Sequence, residues 1–102
     1  MKTIYRVIET VTEYKHNMCY PDKVYNSQYN LEDFKSQKSA LQFLEDKYEK
    51  FEKQNNATTH VGEEARYTKL KKHTWKYQTV YDMYHSHDYE ILNFSIIKLY
   101  LD

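Results

Sequence analysis

The spacing of apolar residues over residues 37–54 predicts one amphipathic helix. Apolar side chains recur three or four positions apart there and would share one helix face: Ala40, Leu41, Leu44, Tyr48 and Phe51. Ser36 precedes this stretch and is a residue type favoured at a helix N-cap. Lysine and glutamate fill most of the other positions, so we expect the helix to bury one stripe and expose the rest.

The segments before this helix have the composition of β-strands. Residues 2–14 alternate loosely and are rich in Val, Ile, Thr and Tyr, which favours a strand with one covered and one partly hydrated face. A short second strand is predicted over residues 23–29, where Val24 is the only aliphatic residue. Turn residues separate the two segments, and Pro21 followed by Asp22 is the strongest turn signal.

After the helix, the pattern predicts strands almost to residue 101. Residues 66–71 form one short candidate strand, with a turn near Lys72 and His73. From Trp75 to Met83, aromatic and polar residues alternate with a period of two, which predicts a strand with an aromatic face. A hairpin loop is expected at residues 85–88. Residues 89–101 are apolar on both faces, as is typical of a strand in the middle of a sheet.

This order of elements predicts an α+β fold. We expect a single domain over residues 1–102, with one amphipathic helix packed on one face of an antiparallel sheet of about four strands, in the order β(β)αβββ. The helix stripe covers one face of that sheet only. The other face is then hydrated, lined by aromatic rings, or covered by a second copy of the chain.

The composition changes this picture in two ways. Leu, Ile, Val and Phe make up only about a fifth of the chain, so the aliphatic core is thin and aromatic rings must complete it. Twelve tyrosines accompany a single glycine and a single proline in 102 residues. Tyrosine suits both half-buried strands and surfaces that meet a partner, and composition alone leaves both uses open.

Charge and cysteine content indicate where the protein acts. Fifteen basic residues balance fifteen acidic ones, which argues against general binding to polyanions or to acidic membranes. Cys19 is the only cysteine, which suits a reducing compartment, and no apolar run has the length of a membrane span. Charged residues near the start argue against a secretion signal, so we expect a cytoplasmic protein without membrane contact.

Motifs that mark enzymes and cofactor sites do not occur in the sequence. One glycine cannot build a phosphate-binding loop or a dinucleotide fingerprint. Catalysis by Cys19 would need an oriented base and an electropositive pocket, and a lone cysteine between Met18 and Tyr20 is more often a small apolar residue. The nearest approach to a metal site is formed by His85, His87 and Asp88. Such residues are also common in hairpin loops because they favour turns. We therefore predict a non-enzymatic protein with no cofactor and no bound metal.

The leading functional hypothesis is protein binding through an aromatic face of the sheet. Tyr and Trp are enriched where interfaces bind most strongly. The candidates lie on or beside one predicted face: Trp75, Tyr77, Tyr81 and Tyr84. The competing interpretation places these rings in the core, most readily for Trp75. The bias towards Lys, Tyr, Asn and Ile is typical of AT-rich genomes, so a small inhibitor or accessory protein of a phage or mobile element is one concrete form, with a homodimer allowed.

The alternative hypothesis is binding to single-stranded nucleic acid through residues 66–80. Basic residues occur there without any acidic one: Arg66, Lys69, Lys71, Lys72 and Lys76. Trp75 and Tyr77 lie among them, and aromatic faces between cationic side chains can stack unpaired bases. An edge strand protected from aggregation by lysines has the same pattern. Because the whole chain is neutral, nucleic acid ranks behind a protein partner.

Overall fold

The computed structural model of the protein describes residues 2–16, 23–56 and 65–102. The described elements are β1 (Lys2–Lys15), β2 (Lys23–Phe34), α1 (Gln37–Asn56), β3 (Ala65–Lys71), β4 (Thr74–Thr79), α2 (Val80–Tyr84) and β5 (Tyr89–Leu101). All five strands belong to one antiparallel sheet, in the order β2-β1-β5-β4-β3. The α+β class is confirmed, and the apolar run over residues 89–101 is the central strand, as its pattern predicted.

Two details of the predicted order were wrong. The sheet has five strands instead of about four, because residues 23–34 form a full strand that pairs along almost the whole of β1. The strand predicted from Trp75 to Met83 ends at Thr79, where a short helix begins. The Thr79 side-chain oxygen accepts a hydrogen bond from the backbone N–H of Asp82 at 3.0 Å. That N-cap favours a helical turn over continued strand pairing.

Helix α1 begins and packs as its sequence pattern predicted. The Ser36 hydroxyl accepts a hydrogen bond from the backbone N–H of Ser39 at 3.2 Å, which is the expected N-cap. Four of the five stripe residues are buried, and Leu41 at the margin of the stripe is half-buried. None of the helices described is long and apolar enough to cross a membrane.

The hydrophobic core lies between α1 and the face of the sheet that α1 covers, called the helix side below. It contains few aliphatic residues and several aromatic rings: Val7, Val11, Ala40, Leu44, Tyr48, Phe51, Trp75, Leu92 and Phe94. The Tyr48 ring lies 5.5 Å from the rings of both Trp75 and Phe94, measured between centroids. Aromatic rings therefore complete the thin aliphatic core, since each ring buries a large apolar area.

The register between β1 and β5 decides which residues face α1. Lys2 pairs with Leu101 at one end, and Tyr14 pairs with Tyr89 at the other. Val7 and Val11 lie opposite Ile96 and Leu92, so odd-numbered residues of β1 and even-numbered residues of β5 point to the helix side. The opposite face, called the far side, carries the remaining residues of both strands.

Candidate functional site

An open groove of about 470 Å³ lies on the helix side, where α1 leaves part of the sheet uncovered. Three carboxylates lie in it between apolar and aromatic side chains, and we call it the acidic groove. Its lining consists of Glu9, Val11, Glu13, Tyr29, Lys47, Phe51, Tyr67, Tyr77, Glu90 and Leu92. Every strand and the long helix contribute to it, so the groove depends on the complete fold.

The carboxylates reach the groove through strand periodicity and register. Glu9 and Glu13 have the same parity as Val7 and Val11 on β1, so they point to the helix side. Glu90 on β5 lies directly opposite Glu13. Side chains in directly opposite positions start about 5 Å apart at Cβ, and like charges there destabilise the strand pair. The fold therefore tolerates a repulsive pair at this position.

The pKa values of two of these carboxyl groups are raised by their surroundings. Burial is the main reason that the pKa of Glu90 lies above its ordinary range, and the negative charges of Glu13 and Glu9 raise it further, against the opposing charge of Lys15. Burial likewise raises the pKa of Glu9, while the nearby charge of Lys47 lowers it. Both groups thus hold their negative charge less readily than a free carboxylate. An added cation would stabilise the charged forms.

Aromatic rings form the walls of the groove. The rings of Phe51 and Tyr67 are stacked, with centroids 4.1 Å apart and planes 5° from parallel. The ring of Tyr77 follows, 5.0 Å from that of Tyr67. Burial raises the pKa of Tyr67, and the neighbouring Tyr77, Glu9 and Glu90 raise it further, so its hydroxyl stays neutral. The faces of such rings attract cations.

Tyr67 is held in place by the last turn of α1. The Asn55 side chain accepts a hydrogen bond from the backbone N–H of Tyr67 at 2.6 Å and donates one to its carbonyl at 2.5 Å. The carboxamide thus pairs with β3 as the peptide group of a neighbouring strand would. Arg66 donates a hydrogen bond to the carbonyl of Asn55 at 2.6 Å. These bonds fix the wall of the groove to the helix.

The groove carries an excess of negative charge. Among the described residues that line it, Lys47 is the single basic one, against the three glutamates. The Lys47 ammonium lies 5.8 Å from the centroid of the Phe51 ring and 6.0 Å from that of Phe94. A smaller cavity of about 60 Å³ shares Tyr77 and Glu90 with the groove and adds Asp82 and Asp88, with Lys15 as the basic residue in its described lining. The acidic surface therefore extends towards α2.

The four predicted contact residues do not share one face. Trp75 is 2% exposed and lies in the core, so its ring is not displayed. Tyr77 lies on the same side of the sheet and is half-buried in the wall of the groove. Tyr81 and Tyr84 are 61% and 76% exposed, but they lie on α2, beyond the end of β4. The N-cap at Thr79 separates these two from the sheet.

The basic residues of the segment 66–80 are also dispersed. Lys69, Lys71 and Lys72 are exposed on or next to β3, which is an edge strand. The Lys76 ammonium lies 4.8 Å from the centroid of the Tyr89 ring on the far side. Arg66 reaches α1, as described above. The cations that the nucleic-acid hypothesis requires therefore point in several directions, and the buried Trp75 ring offers no stacking surface.

The residues considered for a metal site have other contacts. The His85 ring lies 4.4 Å from that of Tyr81, and the His87 ring lies 5.8 Å from that of His16. The Asp88 carboxylate accepts a hydrogen bond from the backbone N–H of His16 at 2.8 Å. Within the part of the chain that the structure describes, no three His, Cys, Asp or Glu side chains are arranged to hold a metal ion. Cys19 and the turn at Pro21 and Asp22 lie outside the described residues.

The acidic groove was not predicted from the sequence. Glu9 and Glu13 interrupt an otherwise apolar pattern in β1, and their parity with Val7 and Val11 was the available signal. Their partner Glu90 is distant in sequence and joins them only through the register between β1 and β5. Long-range pairing of this kind leaves no local pattern.

Comparisons with known proteins add no relative from which a role could be transferred. No family model matches the chain, and no curated protein or solved structure matches it either. The function must therefore be inferred from the geometry and chemistry of the acidic groove.

Proposed function

We propose that the protein is a binding domain that takes a basic, extended segment of a partner protein in the acidic groove. One observation supports this above all. Glu13 and Glu90 lie directly opposite each other on the adjacent strands β1 and β5, near Glu9, in the part of the helix side that α1 leaves open. Like charges in that position destabilise the free protein. Lysine or arginine side chains of a partner would relieve the repulsion on binding.

The walls of the groove suit the same ligand class. Ammonium and guanidinium groups bind to aromatic faces, with about 0.5–1 kcal/mol for exposed pairs and about 2 kcal/mol for desolvated ones. Carboxylates add charge-assisted hydrogen bonds to the same cations. The half-buried rings of Tyr67 and Tyr77 line the groove beside the three glutamates, so one side chain can meet both kinds of group.

The distribution of charge favours a basic protein segment over nucleic acid. An acidic groove repels phosphate groups, and its aromatic walls are therefore a poor place for bases to stack. The exposed lysines of β3 lie at the sheet edge, away from a displayed aromatic ring. Single-stranded nucleic acid thus remains the second hypothesis and serves as the comparison ligand in the experiment below.

The predicted contact tyrosines take separate roles in this proposal. Tyr77 forms part of the groove wall, while the exposed Tyr81 and Tyr84 would extend the contact surface onto α2, the helix that contributes Asp82 to the smaller cavity. Trp75 supports the groove from the core without touching the partner. We propose that the protein is a small cytoplasmic inhibitor or accessory protein of a phage or mobile element. Its small size and an amino-acid composition typical of AT-rich genomes support this.

The experiment compares two double variants that remove the same charge. A fluorescent peptide of alternating lysine and serine is titrated with wild-type protein, with Glu13→Gln/Glu90→Gln, and with Glu45→Gln/Glu52→Gln. Glu45 and Glu52 are exposed on α1, outside the groove lining. We expect the groove variant to bind about thirtyfold more weakly, because two lost charge pairs of about 1 kcal/mol each sum to about 2 kcal/mol. The helix variant should bind like wild type.

Several outcomes would contradict the proposal. Equal weakening in both variants would mean that the peptide responds to overall charge and not to the groove. No binding of the peptide to wild-type protein at low salt would exclude the ligand class. If a single-stranded oligonucleotide binds more tightly than the peptide, and Lys71→Gln/Lys72→Gln abolishes that binding, the second hypothesis replaces the first.

A further inference from the structure

The two edges of the sheet are finished in different ways. β3 lies at one edge and β2 at the other, and each edge strand presents backbone N–H and C=O groups that no sixth strand of the chain pairs within the described residues. Such edges can add a further strand unless side chains or other elements protect them. Comparison of the two edges shows which of them is open to a partner strand.

The edge at β3 is closed. Both outward-facing backbone groups of Tyr67 are bonded to the Asn55 side chain, as described above. Arg66 and Lys69 belong to the strand as well, and Lys71 ends it. Antiparallel pairing of β3 with its own copy would bring cations against cations. A second copy is therefore repelled from this edge.

The edge at β2 is open. β2 has twelve residues, and among residues 2–16, 23–56 and 65–102 only β1 pairs with its backbone. Val24, Tyr25 and Tyr29 are each about half exposed along it. Exposed apolar and aromatic side chains on an unpaired strand are features that favour addition of another strand.

The charges of β2 are arranged so that two antiparallel copies of the strand would attract each other. Lys23 begins the strand, Glu32 and Asp33 lie at its end, and no other charged residue occurs in it. Asp33 is already paired with Arg6 at 2.8 Å, which leaves Glu32 as the acidic group available near that end. If two copies of β2 run antiparallel, Lys23 of each copy lies near Glu32 of the other. The same attraction then occurs twice, and the neutral net charge of the chain adds no overall repulsion.

We propose that β2 pairs antiparallel with β2 of a second copy, so that two five-stranded sheets form one continuous ten-stranded sheet. An antiparallel pair of identical strands is related by a two-fold axis perpendicular to the sheet. Both copies of α1 then lie on the same side of the joined sheet. Both acidic grooves open on that side as well, with Tyr29 of β2 in the lining of each.

The experiment measures mass in solution as protein concentration is raised. We expect sedimentation equilibrium to show a rise from 12.6 kDa towards twice that mass. Lys23→Glu and Glu32→Lys should each weaken dimerisation about tenfold, because symmetry makes each change act twice. The double variant Lys23→Glu/Glu32→Lys should restore the wild-type dimer, since it exchanges the two charges. Lys69→Glu, at the other edge, is the matched control and should leave the mass unchanged.

A proline placed on the strand separates this arrangement from a dimer through the far side. Gln28→Pro should abolish dimerisation while the far-UV circular dichroism spectrum retains the wild-type shape. A mass of 12.6 kDa at every concentration would overturn the proposal. A folded Gln28→Pro protein that remains a dimer, or a charge exchange that fails to restore one, would overturn it too. Glu13→Gln/Glu90→Gln should dimerise normally, so peptide binding and dimerisation can fail independently.

Discussion

The helix side of the sheet has a covered part and an open part, and both are built from the same strands. Under α1, Val7 is 0% exposed, Trp75 is 2% exposed, and Phe94 is 5% exposed. In the open part, Glu9 and Glu13 point in the same direction as Val7, from the same strand. The covered part is apolar and closely packed, whereas the open part combines carboxylates with aromatic rings.

This difference separates residues that stabilise the fold from residues available for binding. Burial of apolar side chains under α1 stabilises the fold, and a charged residue there would destabilise it. In the open part, carboxylates that repel each other lower the stability of the free protein slightly. Substitutions in the two parts should therefore change stability in opposite directions, which the following variants test in order of decreasing effect.

Trp75→Ala, in the covered part, should have the largest effect. The ring is almost completely buried and contacts those of Tyr48 and Phe51, so its removal leaves a large cavity. We expect the free energy of unfolding in urea to fall by about 3–5 kcal/mol. Trp75→Phe is the control and should lose much less, because a ring still fills most of the space. Wild-type stability of the alanine variant would show that the covered part is not the core.

Glu90→Gln, in the open part, should increase stability by about 0.5 kcal/mol at neutral pH. Because its folded-state pKa is raised, ionised Glu90 destabilises the folded state at high pH, and this effect disappears as pH falls through the folded and then the unfolded pKa. The advantage of the variant should accordingly vanish below the ordinary glutamate pKa. Urea unfolding at several pH values measures this. An advantage that persists at acidic pH would mean that charge repulsion is not its cause.

Tyr81→Ala and Tyr84→Ala should have the smallest effect on stability, within about 0.5 kcal/mol. Both side chains are exposed on α2, outside the core. We expect partner binding to weaken, because the proposed contact surface includes the exposed tyrosines of α2. Thermal unfolding and peptide titration separate the two effects. Marked destabilisation of either variant would place its ring in the packed interior.

Elements with a local signal could be predicted from the sequence. Helix α1 was found because the stripe from Ala40 to Phe51 and the cap at Ser36 lie within one stretch of chain. The apolar run over residues 89–101 predicted the central strand for the same reason. In both cases the residues that decide the structure are neighbours in sequence.

Other features depend on contacts that no local pattern contains. The alternation from Trp75 to Met83 continued past Thr79, yet the cap to Asp82 ended the strand there. β2 has only scattered apolar residues, and its full length follows from pairing with β1. The acidic groove needs the register that brings Glu13 to Glu90. Such features were beyond a prediction based on periodicity alone.

The position of β5 in the sheet has a consequence for how the molecule forms. β1 with β2 is one hairpin, β3 with β4 is another, and β5 lies between β1 and β4 and joins them. An isolated two-stranded hairpin is marginally stable in water. We expect each half to gain most of its stability only after residues 89–101 have emerged and joined the two hairpins. We expect folding to be late, cooperative and slow, as is usual when partners far apart in the chain must meet.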